Sequence, residues 1–186
     1  MSAQPEAARL TWAEYLRFLQ AFAGDERFEL DRGRVVLMSG GSERHDLMTT
    51  SIYARLLAAV QGGPCRVFIH NRLLRTGPDQ GIHPDLLVRC TAAADALFET
   101  DARIVVEVLS PSNGPADRTA RLFACQGLPS AELIVFADQE RRVLILHERA
   151  PQGWSERQFG EGVAHAGATD VDLTGLWSEV DGLAST

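Results

Sequence analysis

Three acidic residues stand where a carboxylate is expensive to keep. Glu29 lies in Phe28-Glu-Leu30, Asp85 in Pro84-Asp-Leu-Leu87, and Glu107 interrupts the apolar run Ile104-Val-Val-Glu-Val-Leu109. A buried carboxylate without a partner takes up a proton or acquires a cation. Carboxylate oxygens suit a hard divalent ion such as magnesium, which keeps waters and phosphate oxygens in its shell. Such an ion can activate water and offset charge developing on a phosphate. Each acid alone also has a plainer reading. Glu29 fits a strand-edge salt bridge, Asp85 a strand-start residue after proline, and Glu107 a buried pair with an arginine.

The remaining reactive side chains narrow the chemistry. His45 follows a glycine pair at the start of an expected helix, where a lone histidine commonly serves as a hydrogen-bonding residue. His70, His83, His147 and His165 show no H-x-x-x-H or similar spacing, so a zinc centre is not expected. His83, two residues before Asp85, should share its strand face. Ser39-Gly-Gly-Ser42 lacks the G-K-[ST] of a phosphate-binding loop, and Ser110 and Ser112 have no G-x-S-x-G context. Cys65, Cys90 and Cys125 form no C-x-x-C, and an odd, widely spaced set reads as reduced, mostly buried thiols.

Composition bounds the class. The chain has 186 residues, a length suited to a single domain over 1–186 with a core that needs no staple. Hydrophobic residues make up 45% and charged residues 23%, too apolar for disorder. No apolar run is long enough for a membrane helix and the N-terminus does not read as a secretory signal, so a cytoplasmic location and no membrane partner are expected. The net charge of −7 argues against a broad basic nucleic-acid footprint, though not a local one. All 18 basic residues are arginine.

The elements that must position these residues follow from periodicity. Thr11-Trp-Ala-Glu14 is a capping box opening a helix that ends near Gly24. Arg27–Leu30 and Val35–Met38, either side of Asp31-Arg-Gly33, predict a hairpin. Apolar residues at three- and four-residue spacing predict a second helix to Val60, stopped by Gly62-Gly-Pro64. Strands are expected at Cys65–His70, Leu73–Arg75, Pro84–Val88 and Arg103–Leu109, the last central and covered on both faces. The loop Ser110–Pro115 leads to a helix over Ala116–Gln126. Strands at Leu133–Ala137, Val143–His147 and Trp154–Phe159 precede a short helix near Leu173–Leu183. The pattern indicates an α/β or α+β domain with a mixed sheet flanked by helices.

The acids then form part of a longer ordered series. It runs Phe28-Glu-Leu-Asp-Arg-Gly-Arg-Val-Val36, Met38-Ser-Gly-Gly-Ser-x-x-His45, Gly63-Pro-Cys-Arg-Val-Phe68 and His83-Pro-Asp-Leu-Leu-Val88. It continues through Val105-Val-Glu-Val-Leu-Ser-Pro-Ser112, Asp117-Arg-x-x-Arg121 and Leu128-Pro-Ser130. P-D followed after 21 intervening residues by Glu107 resembles the PD-(D/E)XK nuclease constellation. The whole series, over about 11–160, resembles the Uma-two family of restriction-endonuclease-like proteins. The resemblance implies a restriction-endonuclease-like fold and a Mg2+- or Mn2+-dependent endonuclease acting on DNA. Glu29, Asp85 and Glu107 would hold the metal and attacking water, with His45 near the phosphate or shuttling a proton.

One departure stands out. The lysine of the E-x-K pattern is replaced by Leu109, and the family's D-R-x-x-K lysine is Arg121. Arginine supplies fixed charge to a phosphate but cannot act as a neutral amine. On a solvated helix face it would instead pair with Asp117 at i, i+4. Two further readings therefore stand beside the enzyme. One is a catalytically degenerate nuclease fold that binds nucleic acid or protein. The other is a structural or regulatory homodimer using apolar surface on the first helix.

Overall fold

A computed structural model describes residues 9–38, 40–92, 95, 97–110 and 114–184 of the chain. The N-terminal segment before Arg9 and the centre of the Ser110–Pro115 loop lie outside the described residues. The capping box forms as the sequence predicts: helix α1 spans Trp12–Ala21, with Glu14 N–H donating to Thr11 Oγ1 and Thr11 N–H donating to Glu14 Oε2. Its buried Trp12 and Tyr15 pack with Leu30 and Leu73. The Tyr15 hydroxyl donates to the Phe28 carbonyl at 2.5 Å, which fastens the helix to the strand carrying Glu29. The apolar stripe of α1 is thus largely spent inside the molecule, with Phe22 left partly exposed.

Strands β1 (Phe28–Asp31) and β2 (Arg34–Leu37) pair antiparallel around Arg32 and Gly33, both at positive φ. Two left-handed residues are what a two-residue hairpin of this twist requires, and glycine supplies the second without strain. The hairpin belongs to a five-stranded sheet ordered β2-β1-β5-β4-β7, completed by β4 (Leu73–Gly77), β5 (Gln80–Ile82) and β7 (Phe98–Glu99).

The second sheet is built from β3 (Arg66–Ile69), β6 (Leu86–Arg89), β8 (Ile104–Leu109), β9 (Leu133–Asp138), β10 (Val143–Ala150) and β11 (Gly153–Phe159). Its order is β11-β10-β9-β8-β6-β3. Only β8 and β9 run parallel within it, joined through helix α3 (Pro115–Gln126) as a parallel pair requires. Helix α2 (Glu43–Val60) and helix α4 (Leu176–Ala184) cover one face, with Met48, Ile52, Trp177 and Val180 packed on Val106, Val108 and Val135. The opposite face carries Leu87, Val105 and Phe136 against Cys125 of α3 and against Leu74 and Ile82 of the first sheet. Near-continuous apolar strands suit a sheet sandwiched in this way.

Three features differ from the sequence expectation. The short strands β5 and β7, and the hairpin of β12 (Val163–Ala166) and β13 (Thr169–Asp172), lie outside the expected elements. At two to four residues, such strands are too short to show a period and are defined by their pairing partners. The three cysteines are not all reduced thiols: Cys65 and Cys90 form a disulfide, and only Cys125 is free and buried. The register explains it. Arg66 pairs with Arg89 in the antiparallel β3–β6 ladder, so the next positions outward bring Cys65 opposite Cys90. Nothing in a separation of 25 residues announces that pairing. Reduction should lower stability by about 2–4 kcal/mol, read as a fall in melting temperature on adding a phosphine reductant; a Cys65→Ala, Cys90→Ala variant should show no such response.

Candidate active site

Register gathers the site. In the antiparallel β6–β8 ladder Leu86 pairs with Val106, so Asp85 stands one step outward, opposite Glu107. Opposed residues on such strands have Cβ atoms about 5 Å apart. Asp85 Oδ2 accepts a hydrogen bond from Val108 N–H at 2.7 Å, which fixes the carboxylate at the strand end. Beyond it, His70 N–H donates to the Asp85 carbonyl, extending the β3–β6 ladder. His70, Asp85 and Glu107 are therefore consecutive positions of one row across three strands.

Glu29 arrives from the first sheet. The link His83-Pro84-Asp85 carries the chain from β5 into β6, and His83 N–H donates to Glu29 Oε1 at 2.7 Å. The same oxygen accepts from Arg121 Nη1 at 2.8 Å. Arg121 Nε lies 3.4 Å from Glu107 Oε1. One guanidinium thus joins a carboxylate from each sheet, although Glu29 and Glu107 are 78 positions apart. The solvated pairing of Arg121 with Asp117 does not occur. Asp117 accepts from Gly114 N–H at the helix start, while the Arg121 side chain is turned inward and only 23% exposed.

Two histidines complete the cluster. His45, in the first turn of α2, brings Nε2 to 3.3 Å from Asp85 Oδ2. Gly41 permits this, since a Cβ there would lie 2.9 Å from His45 Nδ1. His70, at φ 56°, places Nδ1 3.6 Å from Asp85 Oδ1, and its ring stacks on His45 with centroids 6.2 Å apart. His70 was missed because its only sequence signal is position: it ends β3 as Asp85 begins β6. His83, expected to share the face of Asp85, contributes its backbone to Glu29.

The environments separate the two central carboxyls. Burial pushes the Glu107 carboxyl up to about 8, against the pull of the Arg121 charge. Burial also acts to raise Asp85, but hydrogen bonds with His45 and His70 outweigh it and hold the group down at about 2. The hydrogen bond to Asp85 raises His45. Burial disfavours the charge on Arg121, yet Glu107 and Glu29 overcome it and raise its pKa, so it is a permanent cation. Burial keeps the Cys125 thiol protonated, so this cysteine is not a nucleophile. One ionised and one proton-holding carboxyl side by side is an arrangement that acid–base and phosphoryl chemistry uses.

Among the described residues no group of three or more His, Cys, Asp or Glu side chains is disposed to hold a metal ion as it stands. The donor chemistry nonetheless suits magnesium, which is commonly bound through one or two carboxylates and completed by water and phosphate. Glu107 Oε1 is fully buried and, with Arg121 Nε at 3.4 Å, makes no hydrogen bond, which leaves a lone pair that a hard cation would satisfy.

A mixed sheet flanked by helices, with acids from two sheets meeting at the ends of adjacent central strands, is a restriction-endonuclease-like fold. The Uma2 family, described as "Putative restriction endonuclease", matches residues 12–177, and the chain belongs to this family. Its fold is similar to that of a crystal structure described as a putative nuclease belonging to DUF820 from Anabaena variabilis ATCC 29413. The TM-score is 0.71 at 16% identity, over 88% of this chain and 96% of that one. No curated protein matches the chain. Among the described residues no helix is long and apolar enough to cross a membrane.

Proposed function

We propose that the protein is a divalent-metal-dependent endonuclease that hydrolyses DNA phosphodiester bonds. The observation that carries this reading is the junction of Glu29, Asp85, Glu107 and Arg121, drawn from four separate segments of the chain to one end of the central strands. Asp85 and Glu107 would hold Mg2+ or Mn2+. When bound, the ion lowers the pKa of water and offsets charge on the phosphate. Glu29, within the same acid cluster, holds the Arg121 guanidinium, which stabilises the charge developing on the phosphate as a fixed donor. His45, buried against Asp85 and raised in pKa, donates a hydrogen bond or a proton on the side of the cluster facing α2.

Two measurements test this. Native protein should cut single- or double-stranded DNA in magnesium or manganese and lose that activity in chelator and in a Glu107→Ala variant. Calorimetry should find tighter binding of Mn2+ by the native protein than by an Asp85→Asn, Glu107→Gln double variant. Equal affinity with both proteins folded would count decisively against the metal. One observation favours a second reading, a degenerate nuclease fold that binds without cutting: the chain has no lysine, and Arg121 already occupies the space between two of the acids. DNA binding without metal-dependent cleavage would establish it.

A further inference from the structure

The row that begins with His70, Asp85 and Glu107 does not stop at β8. Glu107 pairs with Phe136 in the parallel β8–β9 ladder, Phe136 with Ile145 in β9–β10, and Ile145 with Gln158 in β10–β11. All project from the face on which α3 lies. Beyond the rim of α3, Phe136, Ile145 and Gln158 form part of the floor of a groove of about 210 Å³. The side next to α3 is cationic: Arg118 and Thr119 stand on α3, and Arg141 stands on the β9–β10 turn. Arg118 is one helical turn before Arg121, so the same helix presents one arginine to the acid cluster and another to the groove.

The charges of this groove are available. Among the described residues the Arg118 side chain has no ion pair or hydrogen bond, and Arg141 has only a 4.0 Å approach to Asp138, with more than half of its side chain exposed. The far end is different in kind. Gln158 Nε2 donates to Glu156 Oε1, and His147, nearly buried, sets its ring edge-on to Phe136 and lies 4.0 Å from Glu156 Oε2. Cationic groups therefore cluster beside α3, an apolar strip of Phe136, Ile145 and Leu122 lies between, and the Glu156 carboxylate with Gln158 and His147 closes the far end. Strand spacing of about 4.8 Å puts Ile145 about 10 Å from Glu107, about one to two nucleotides along a strand.

We propose that this groove is a phosphodiester-binding subsite. Arg118 and Arg141 hold a backbone phosphate adjacent to the bond at the acid cluster, and the apolar strip takes the neighbouring sugar or base. The assignment rests on the nuclease reading for what lies at the cluster, but the groove's affinity for phosphate does not depend on cleavage. Arginine is suited to the task because its planar donors match phosphate oxygens. In a chain of net charge −7, Arg118, which has no ion pair among the described residues, and Arg141, which has only a 4.0 Å approach to Asp138, give a local anion footprint beside the carboxylate cluster that the overall charge conceals.

The test compares native protein, an Arg118→Ala, Arg141→Ala variant, and an Arg17→Ala, Arg66→Ala control that removes equal charge elsewhere. Binding of a fluorescein-labelled single-stranded DNA is measured by anisotropy in calcium across a salt series. Removing the two groove arginines should flatten the slope of log K against log salt by about 0.7, the contribution of the one phosphate no longer neutralised. The control should leave the slope unchanged. In magnesium or manganese the groove variant should raise KM at least fivefold while holding kcat. An unchanged slope, an equal loss in the control, or no DNA binding by native protein would overturn the proposal. So would inorganic phosphate stabilising native protein but not the groove variant while their DNA slopes agree, because the groove would then take free phosphate. A flattened slope in proteins that never cut DNA would keep the groove and overturn the nuclease reading.

Discussion

Replacing Glu107 by glutamine should abolish metal-dependent DNA cleavage and at the same time make the protein harder to unfold. The activity loss should exceed about a hundredfold, since the change removes the charge of a proposed metal ligand and alters the pairing of Arg121. The gain in stability has the opposite origin. The folded protein raises the Glu107 carboxyl to about 8 through burial, whereas the unfolded chain returns it to the ordinary carboxylate range. Between those two values the folded state holds a proton that the unfolded state releases, so stability falls as pH rises through that window. Glutamine carries no such penalty. Native and variant proteins should melt closely together near pH 5, with the variant higher by several degrees near pH 8. Thermal melts at the two pH values check it. A variant less stable at pH 8 would mean that the Arg121 pairing outweighs the burial of the carboxyl.

Arg121→Ala should be damaging on both counts. It leaves Glu29 and Glu107 facing each other without the cation that lies 2.8 Å from one and 3.4 Å from the other. Removing one member of a buried ion pair costs about 3–5 kcal/mol, which should lower the melting temperature by roughly 6–20 °C in a chain of this size. Cleavage should fall about ten- to a thousandfold, as when one transition-state donor is deleted. Arg121→Lys separates the two roles. A lysine keeps the charge but cannot span both carboxylates with a planar fork. If the base acts as a fixed charge, the lysine form should cut DNA within about tenfold of native. A large gain in the lysine form would identify a reaction that needs a neutral amine and a native chain that has lost it. Alanine activity equal to native would remove Arg121 from catalysis.

The acids, His45 and Arg121 were legible because each is a local anomaly: a carboxylate in or beside an apolar run, a histidine after a glycine pair, an arginine at a family lysine position. The capping box of α1, the β1–β2 hairpin and the central strand β8 were legible for a related reason, since caps, turns and apolar runs act over a few neighbouring residues. His70 carried no such mark. It enters the cluster because β3 is the antiparallel neighbour of β6, and strand pairing joins distant segments without leaving a local period. The Cys65–Cys90 disulfide has the same cause at the other end of the same ladder.

The sequence by itself therefore determined which residues are chemically out of place and what class of fold could use them. Tertiary structure alone decided who meets whom. It turned Arg121 inward to bridge Glu29 and Glu107 instead of pairing along its own helix, and it set the pKa of Glu107 far above that of Asp85. It also extended the acid row across β9, β10 and β11 into a groove flanked by arginines. The physical reason is that helix and turn preferences are settled within about four residues, whereas register, burial and the field at a carboxylate depend on groups brought together from the whole chain.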